Sequence, residues 1–435
     1  MIATRVLERV ARDDAWATPT LDAALRRGSL KRADAALATQ IVYGSLRTAP
    51  DLELAIGRYI RRPLKVDDWT RAVLIGAAYQ LLHLERVPPH AAVNDGVELV
   101  RMKRGKRLAG FANAVLRKLA NERPDSPLPP SSVAVPGWLR ESLRTSIGAE
   151  HAEDLLRVGN EQPSIDLRVR TDRSRSQVAE EIAAAHPEAS VDETTLSPQG
   201  LRVQGAGDPR GLPGYAEGAF AVQEEGAQLI GLLSNVQLGE RVLDACAGRG
   251  GKATQLLEAV GDSGTVVATD LHEHRLDQIG AELERLRLDR SRLDTACVDW
   301  TVGRGGVQGE FDRVLIDAPC TGLGTVRRRP EILLRSGPES AAQMGETQRS
   351  ILENAAALVR PGGALLYAVC SPLDAEGAEV VSSAELPGFD LQAERASALK
   401  SLYFGSTGRL DVGPWIDGAG PWADAYQVYM WVNVR

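Results

Sequence analysis

The run from Arg241 to Gln255 narrows the fold more than any other part of the chain. Val242, Leu243 and Ala245 are short apolar positions that suit a buried parallel strand. Gly248, Gly250 and Gly251 follow, and Lys252 opens a helix that the pattern carries to Val260. Strand, glycine turn and helix in that order let the backbone bend sharply and bring free amides close to a ligand. The glycine spacing is not that of a dinucleotide fingerprint, and with Ala253 after Lys252 it is not that of a triphosphate loop. A second strand over 265–270 ends in Asp270, placed to hydrogen-bond ribose hydroxyls; the competing reading is a cap on a helix beginning near His272. An adenosine-type ligand on an open α/β sheet is therefore expected.

Three further strands point at the same sheet edge. Residues 293–298 lead to Asp299, which suits either an adenine amino group or a cap on the next turn. Residues 312–317 deliver Asp317, Pro319 and Cys320, and residues 363–369 deliver Cys370. Ligands of open α/β sheets bind at the carboxyl ends of the strands. Either cysteine alone reads as an ordinary buried thiol. Two of them beside an acid and an adenosine pocket indicate covalent catalysis. Methylation at C5 of a cytosine needs this set, because C5 is too electron-poor to attack a methyl donor unaided. A thiolate adds to C6, a carboxyl group at N3 steadies the developing charge, C5 takes the methyl, and a base removes the C5 proton.

The four cysteines are spaced by 51, 23 and 50 positions, so neither a zinc site nor a disulfide framework is expected. No apolar run reaches the length of a membrane span, and a cytoplasmic, monomeric protein is expected. The net charge of −7 hides an asymmetry. Residues 1–123 hold 22 Lys+Arg against 13 Asp+Glu, a balance of +9, and the remainder holds −16. The basic third is the part expected to face phosphates.

That third is helical in pattern, with apolar spacing over 21–25, 33–46, 52–60, 73–84, 91–102 and 111–119. Breaks are expected at Pro50, Pro63, Pro88-Pro89, Gly105 and Gly110. Residues 101–107 pack five cations into seven positions, which reads either as an RNA contact or as a solvated helix end. Residues 71–82, 87–99 and 111–118 resemble the NusB family of helical RNA-binding domains, and the resemblance implies RNA contact through the basic face. A linker over 124–137 carries Pro124, Pro127, Pro129, Pro130 and Pro136. Helices to about Val158 and short strands over 166–170, 201–203 and 219–222, with a helix over 176–185, indicate a small α/β unit over 138–218.

A second resemblance spans nearly the whole chain. Gln223-Glu224-Glu225-Gly226-Ala227-Gln228, the glycine turn, Asp317-Ala318-Pro319-Cys320-Thr321-Gly322, Arg327-Arg328-Arg329-Pro330-Glu331-Ile332 and Tyr367-Ala368-Val369-Cys370-Ser371 are similar to the bacterial RsmB (Sun, Fmu) family of 16S ribosomal RNA cytosine-5 methyltransferases. The resemblance implies three domains: an all-α NusB-like bundle over 1–123, a small α/β RNA-binding unit, and a Rossmann-like methyltransferase domain with a mostly parallel sheet over 219–435. It implies that Cys246, Ala247, Gly248, Arg249, Gly250, Gly251, Lys252, Asp270, Asp299 and Asp317 hold S-adenosylmethionine. Cys370 is then the nucleophile, Cys320 assists product release, and Asp317 also bonds the cytosine. The chain departs from the family at Arg249, where Pro is usual, at Val369 for Thr and at Leu333 for Lys. Its tail, over 422–431, alternates like a final hairpin and lacks the usual Asp-Gly-Phe-Phe. Three alternatives stay open: a DNA cytosine methyltransferase using Cys320 as nucleophile, a transfer-RNA methyltransferase, and a non-catalytic RNA-binding factor with a decayed catalytic half.

Overall fold

Apolar spacing in the first 121 residues builds six helices in the computed structural model: α1 (Ile2–Arg12), α2 (Ala17–Arg27), α3 (Arg32–Arg47), α4 (Ala49–Gly57), α5 (Asp68–His83) and α6 (Pro89–Asn121). The structure describes residues 1–28, 30–60, 66–124, 128, 135–392, 408–416 and 424–435. Pro50 and Pro89 mark the expected breaks, between α3 and α4 and between α5 and α6. They occupy first turns of α4 and α6, where a missing N–H costs nothing. Gly105, at φ +80°, kinks α6, whereas Gly110 sits in it without a break. Pro63 lies outside the described residues, as do Pro127, Pro129 and Pro130 of the expected linker.

These helices belong to a first compact unit, Met1–Glu141 with Ala152–Gln162 and Thr325–Ser336. Its core centres on α5, where Trp69 is fully buried among Val73, Leu74, Val100 and Leu116. Asp67 starts α5 by accepting from the Thr70 N–H. The basic run of α6 is partly spent on this packing. Lys103 lies 3.7 Å from the centroid of the Trp69 ring and pairs with Glu8, while Arg104 pairs with Asp67 and Arg101 with Glu98. Lys106 and Arg107 are exposed.

In chain order α7 (Gly137–Ile147) and α8 (Ala149–Val158) come next, and then the small α/β unit takes shape. It comprises β1 (Ile165–Val169), α9 (Arg175–Ala185), β2 (Ser190–Glu193), β3 (Gly200–Gln204) and β4 (Phe220–Val222). The strands form an antiparallel sheet of order β2-β3-β1-β4, with Leu167, Val169, Leu201, Val203 and Phe220 packed on Val178 and Ile182 of α9.

The larger sheet follows: α10 (Glu225–Leu233), β5 (Arg241–Asp244), α11 (Gly251–Ala259), β6 (Thr265–Asp270), α12 (Glu273–Arg285), β7 (Leu293–Cys297), β8 (Phe311–Asp317), α13 (Ser340–Ala356), β9 (Val359–Val369), α14 (Ala378–Ser383), β10 (Phe389–Leu391), β11 (Arg409–Val412) and β12 (Tyr426–Asn433). The strand order is β10-β12-β9-β8-β5-β6-β7, with β11 also on β12. Strands β9-β8-β5-β6-β7 run parallel, and the buried apolar runs of β5, β6, β8 and β9 fit a sheet covered on both faces. The tail is not a free hairpin: β12 lies antiparallel to β9 and carries β10 and β11 beside it. Trp422 and Ala423 of the expected hairpin lie outside the described residues. Among the described residues no helix is long and apolar enough to cross a membrane.

One buried cation ties β1 to the glycine-turn helix. Arg168 is 1 % exposed, donates to Gln223 Oε1 at 2.7 Å and to Thr254 Oγ1 at 3.2 Å, and pairs with Glu258. Removing one partner of a buried pair leaves the other charge uncompensated. Arg168→Met is expected to destabilise the protein by about 3–5 kcal/mol, read as a lower denaturant midpoint in a circular-dichroism melt.

Candidate active site

The glycine turn sets a buried carboxylate, Asp244, and a cation, Lys252, at the wall of one cavity. Gly250 caps α11 in the left-handed region at φ +86°, where an added Cβ would come within 2.9 Å of the Ile279 side chain. With that turn made, Asp244, Cys246, Ala247, Gly251 and Lys252 line a cavity of about 100 Å³ shared with Gln223, Ala227 and Asp317. The chain's Gln223-Glu224-Glu225-Gly226-Ala227 run thus supplies a wall of the same cavity.

Lys252 and Asp317 face each other at 2.5 Å. Burial pushes the Lys252 ammonium down, but Asp317, Asp244 and Cys370 more than offset this, and the group is raised above its ordinary value. Asp244 has no such bond. It is fully buried, neither carboxylate oxygen makes a hydrogen bond of normal geometry, and the Lys252 ammonium and the Cys246 N–H lie nearby. Burial raises its carboxyl to about 7, against the pull of Lys252. A buried carboxylate without a partner is costly, and a cationic ligand in this cavity would satisfy it. The donor set therefore fits a ligand that is both cationic and rich in polar atoms. Sequence reasoning assigned Asp244 no role, although its place at the end of a buried strand before the glycines was the available signal.

The other expected cofactor residues are placed as follows. Asp270 Oδ2 accepts from the Gly248 N–H at 3.0 Å, and Oδ1 accepts from the His272 N–H at 2.9 Å. Asp270 thus steadies both the glycine turn and the entry to α12. Asp299 is exposed and accepts from the N–H and hydroxyl of Thr301, at 2.9 and 2.6 Å, which is the capping contact. Arg249 is exposed. Burial, and then Asp244, push the Cys246 thiol up, so it stays protonated.

The parallel register of β8 and β9 pairs Asp317 with Ala368, and just past it the two chains converge. The Ala318 N–H donates to the Ala368 carbonyl, and the Gly324 N–H donates to the Cys370 carbonyl at 3.0 Å. The sulfurs of Cys320 and Cys370 lie 3.2 Å apart. The hydrogen bond to Cys370, burial, and the negative charge of Glu376 and Asp317 raise the Cys320 thiol well above its ordinary value.

The Arg327-Arg328-Arg329-Pro330-Glu331-Ile332 run lies in the first unit. Glu331 Oε1 accepts from the Ala17 N–H at 2.9 Å, Arg47 donates to the Arg327 carbonyl at 2.9 Å, and Arg335 stacks 4.5 Å from the Trp16 ring. Leu333, where a Lys was expected from the resemblance, is buried in the same turn.

Comparison with known proteins gives the same division of parts. A family model described as 16S rRNA methyltransferase RsmB/F matches residues 232–408, the NusB family matches 1–121, and a ferredoxin-like domain of RsmF/B-like methyltransferases matches 135–209. The chain is 30% identical over 426 residues to the probable ribosomal RNA small subunit methyltransferase B of Bacillus subtilis, covering 95% of this chain and 94% of that one. It is 33% identical over 402 residues to ribosomal RNA small subunit methyltransferase B of Pseudomonas putida, covering 89% of each. A solved structure titled PH0851 superposes with a TM-score of 0.80 at 22% identity, covering 99% of this chain and 98% of that one. NSun6 from Pyrococcus horikoshii superposes at 0.59 and 18% identity, over 69% of this chain and 98% of that one, and both share the fold. On the strength of these full-length relatives, and of the NusB, ferredoxin-like and methyltransferase parts in that order, the chain belongs to the RsmB family of ribosomal RNA small subunit methyltransferases.

Proposed function

We infer that the protein transfers a methyl group from S-adenosylmethionine to C5 of a cytosine in 16S ribosomal RNA, through a covalent bond between Cys370 and C6. The observation that carries this reading is the meeting of two thiols, 3.2 Å apart, beside the Lys252–Asp317 pair and the glycine-turn cavity. S-adenosylmethionine supplies an electrophilic methyl on a positively charged sulfur. Cys246 to Lys252, Asp270, Asp299 and Asp317 would hold it, with Asp244 added to that set for its unpaired buried carboxylate. The domain limits follow the same reading: an RNA-binding bundle over 1–123, a linker over 124–137, a small unit over 138–218 and a catalytic domain over 219–435. Basic side chains of α6 left exposed, Lys106 and Arg107 among them, suit phosphate contacts.

The chemistry assigns each group a task. Cys370 adds to C6 as a thiolate, with the Lys252 ammonium close by. Asp317, held by Lys252, bonds the ring at N3 and steadies the charge that addition places there. C5 then takes the methyl. Cys320 first gives its own proton to solvent and, as the thiolate, accepts the C5 proton; the C5–H pair re-forms the C5–C6 double bond, and the C6–S pair returns to Cys370. The cytosine must leave its stack to reach these sulfurs, as in other enzymes that act on a base.

Two outcomes test the reading. Bisulfite sequencing of ribosomal RNA from cells with and without the gene is expected to lose one 5-methylcytosine. Restoring Cys370→Ala is expected to leave the mark absent, with transfer in vitro down at least about 10³-fold, while Cys320→Ala methylates once and stays joined to RNA. A Cys370→Ala protein that still forms the adduct would favour Cys320 as the nucleophile.

The second outcome concerns pH. A carboxyl raised to about 7 favours folding while protonated, so its contribution fades as pH rises from about 4 through 7. Binding a cationic donor needs the ionised form, so the sign for binding is opposite. Affinity for S-adenosylmethionine, measured by titration calorimetry, is expected to be roughly tenfold weaker at pH 6 than on its alkaline plateau. Asp244→Asn is expected to bind weakly at every pH, and an unchanged pH dependence in that variant would remove Asp244 from the site.

A further inference from the structure

We propose that Glu376 is the positioning residue that sets the Cys320 sulfur against Cys370 and so governs release of the methylated RNA, an inference that rests on the covalent reading above. Glu376 follows β9 in the 3-10 turn Asp374–Glu376 and is fully buried. Its carboxylate accepts from the Thr321 N–H and the Thr321 hydroxyl, each at 2.6 Å, and from Gln348 Nε2 at 3.4 Å. The Ser371 hydroxyl lies against the same carboxylate. Thr321 directly follows Cys320, and Ser371 directly follows Cys370. One side chain therefore grips the residue after each reacting cysteine.

The rest of the turn does not depend on that carboxylate. Tyr367 donates to the Glu376 carbonyl at 2.6 Å, Gln427 Nε2 donates to the Ser371 and Leu373 carbonyls at 3.0 and 2.8 Å, and Asp374 pairs with Arg409. On the loop that carries Cys320, Glu376 accepts from Thr321, Gln348 Nε2 donates to the Pro319 carbonyl at 2.8 Å, and Gln348 itself reaches Glu376. Glu376 is thus anchored on the Cys370 side and holds the Cys320 side.

A charged group is a costly choice for a purely structural clasp. The hydrogen-bond partners of the Glu376 carboxylate are neutral, and burial pushes its carboxyl up. Short bonds to a carboxylate fix geometry more tightly than bonds between neutral groups. The step most sensitive to this is the removal of the C5 proton, for which Cys320 must reach C5 while Cys370 is bonded to C6. Methyl transfer itself uses Cys370, Asp317 and Lys252 and is less dependent on where the Cys320 loop sits.

The experiment uses the full-length protein, S-adenosylmethionine and 16S ribosomal RNA from cells lacking the gene. Single-turnover methyl transfer is followed beside the amount of protein–RNA complex that survives denaturing electrophoresis. Glu376→Ala is expected to slow release at least about tenfold more than it slows methyl transfer, so that the stable complex accumulates. Glu376→Gln, which presents one acceptor to the Thr321 N–H and one donor to its hydroxyl, is expected to recover most of the release rate. A merely structural role would lower both steps together and would accumulate no complex. If Glu376→Ala does not fold, Thr321→Val decides: it removes one bond to the carboxylate and is expected to accumulate the complex. A folded Glu376→Ala or Thr321→Val protein that releases RNA as fast as wild type overturns the proposal. Absence of any adduct from the wild-type and Cys320→Ala proteins would instead defeat the covalent reading itself.

Discussion

Parallel pairing between β8 and β9 is the constraint on which the site depends. The register that sets Asp317 opposite Ala368 brings the chain segments beyond the two strands together, and the main-chain bond from Gly324 to the Cys370 carbonyl closes them. Two thiols from positions fifty apart in sequence then meet. A one-residue slip of either strand would turn Asp317 and its neighbours to the opposite face of the sheet. The buried apolar runs that fill both strands, Val314 to Ile316 and Leu365 to Val369, are what hold the register.

The electrostatics of the site are arranged in two halves. On the cofactor side, two acids meet one lysine: Asp317 is bonded to Lys252, and Asp244 lies near it without a bond, while Asp270 is spent on the turn and on the entry to α12. On the thiol side, the hydrogen bond to Cys370, burial and acidic charge raise the Cys320 thiol above its ordinary value.

Much of this was legible in the sequence, and the reason is local. Strand β5, the glycine turn and α11 are contiguous, so the pattern from Val242 to Val260 carried its own structure. Asp270, Asp317, Cys320 and Cys370 were legible because each closes an apolar run, and strands of a parallel sheet end at one edge. Glu376 was not. It lies in Asp374-Ala375-Glu376-Gly377-Ala378-Glu379, which reads as a solvated turn, and only contacts from Thr321 and Gln348 make it a buried group. The place of residues 325–336 within the first unit was equally hidden, since Glu331 finds Ala17 across more than three hundred positions. Asp299 was ambiguous in the sequence, and in the structure its carboxylate makes the cap to Thr301.

The central claim is that the Cys370 sulfur bonds to the pyrimidine, and the bond itself can be read. A 16S ribosomal RNA carrying 5-fluorocytidine has no proton to lose at the methylated carbon, so the covalent complex cannot resolve. After digestion with protease and nuclease, tandem mass spectrometry is predicted to find the modified nucleotide on the peptide containing Cys370. A nucleotide on the Cys320 peptide, or on no cysteine at all, would contradict the account.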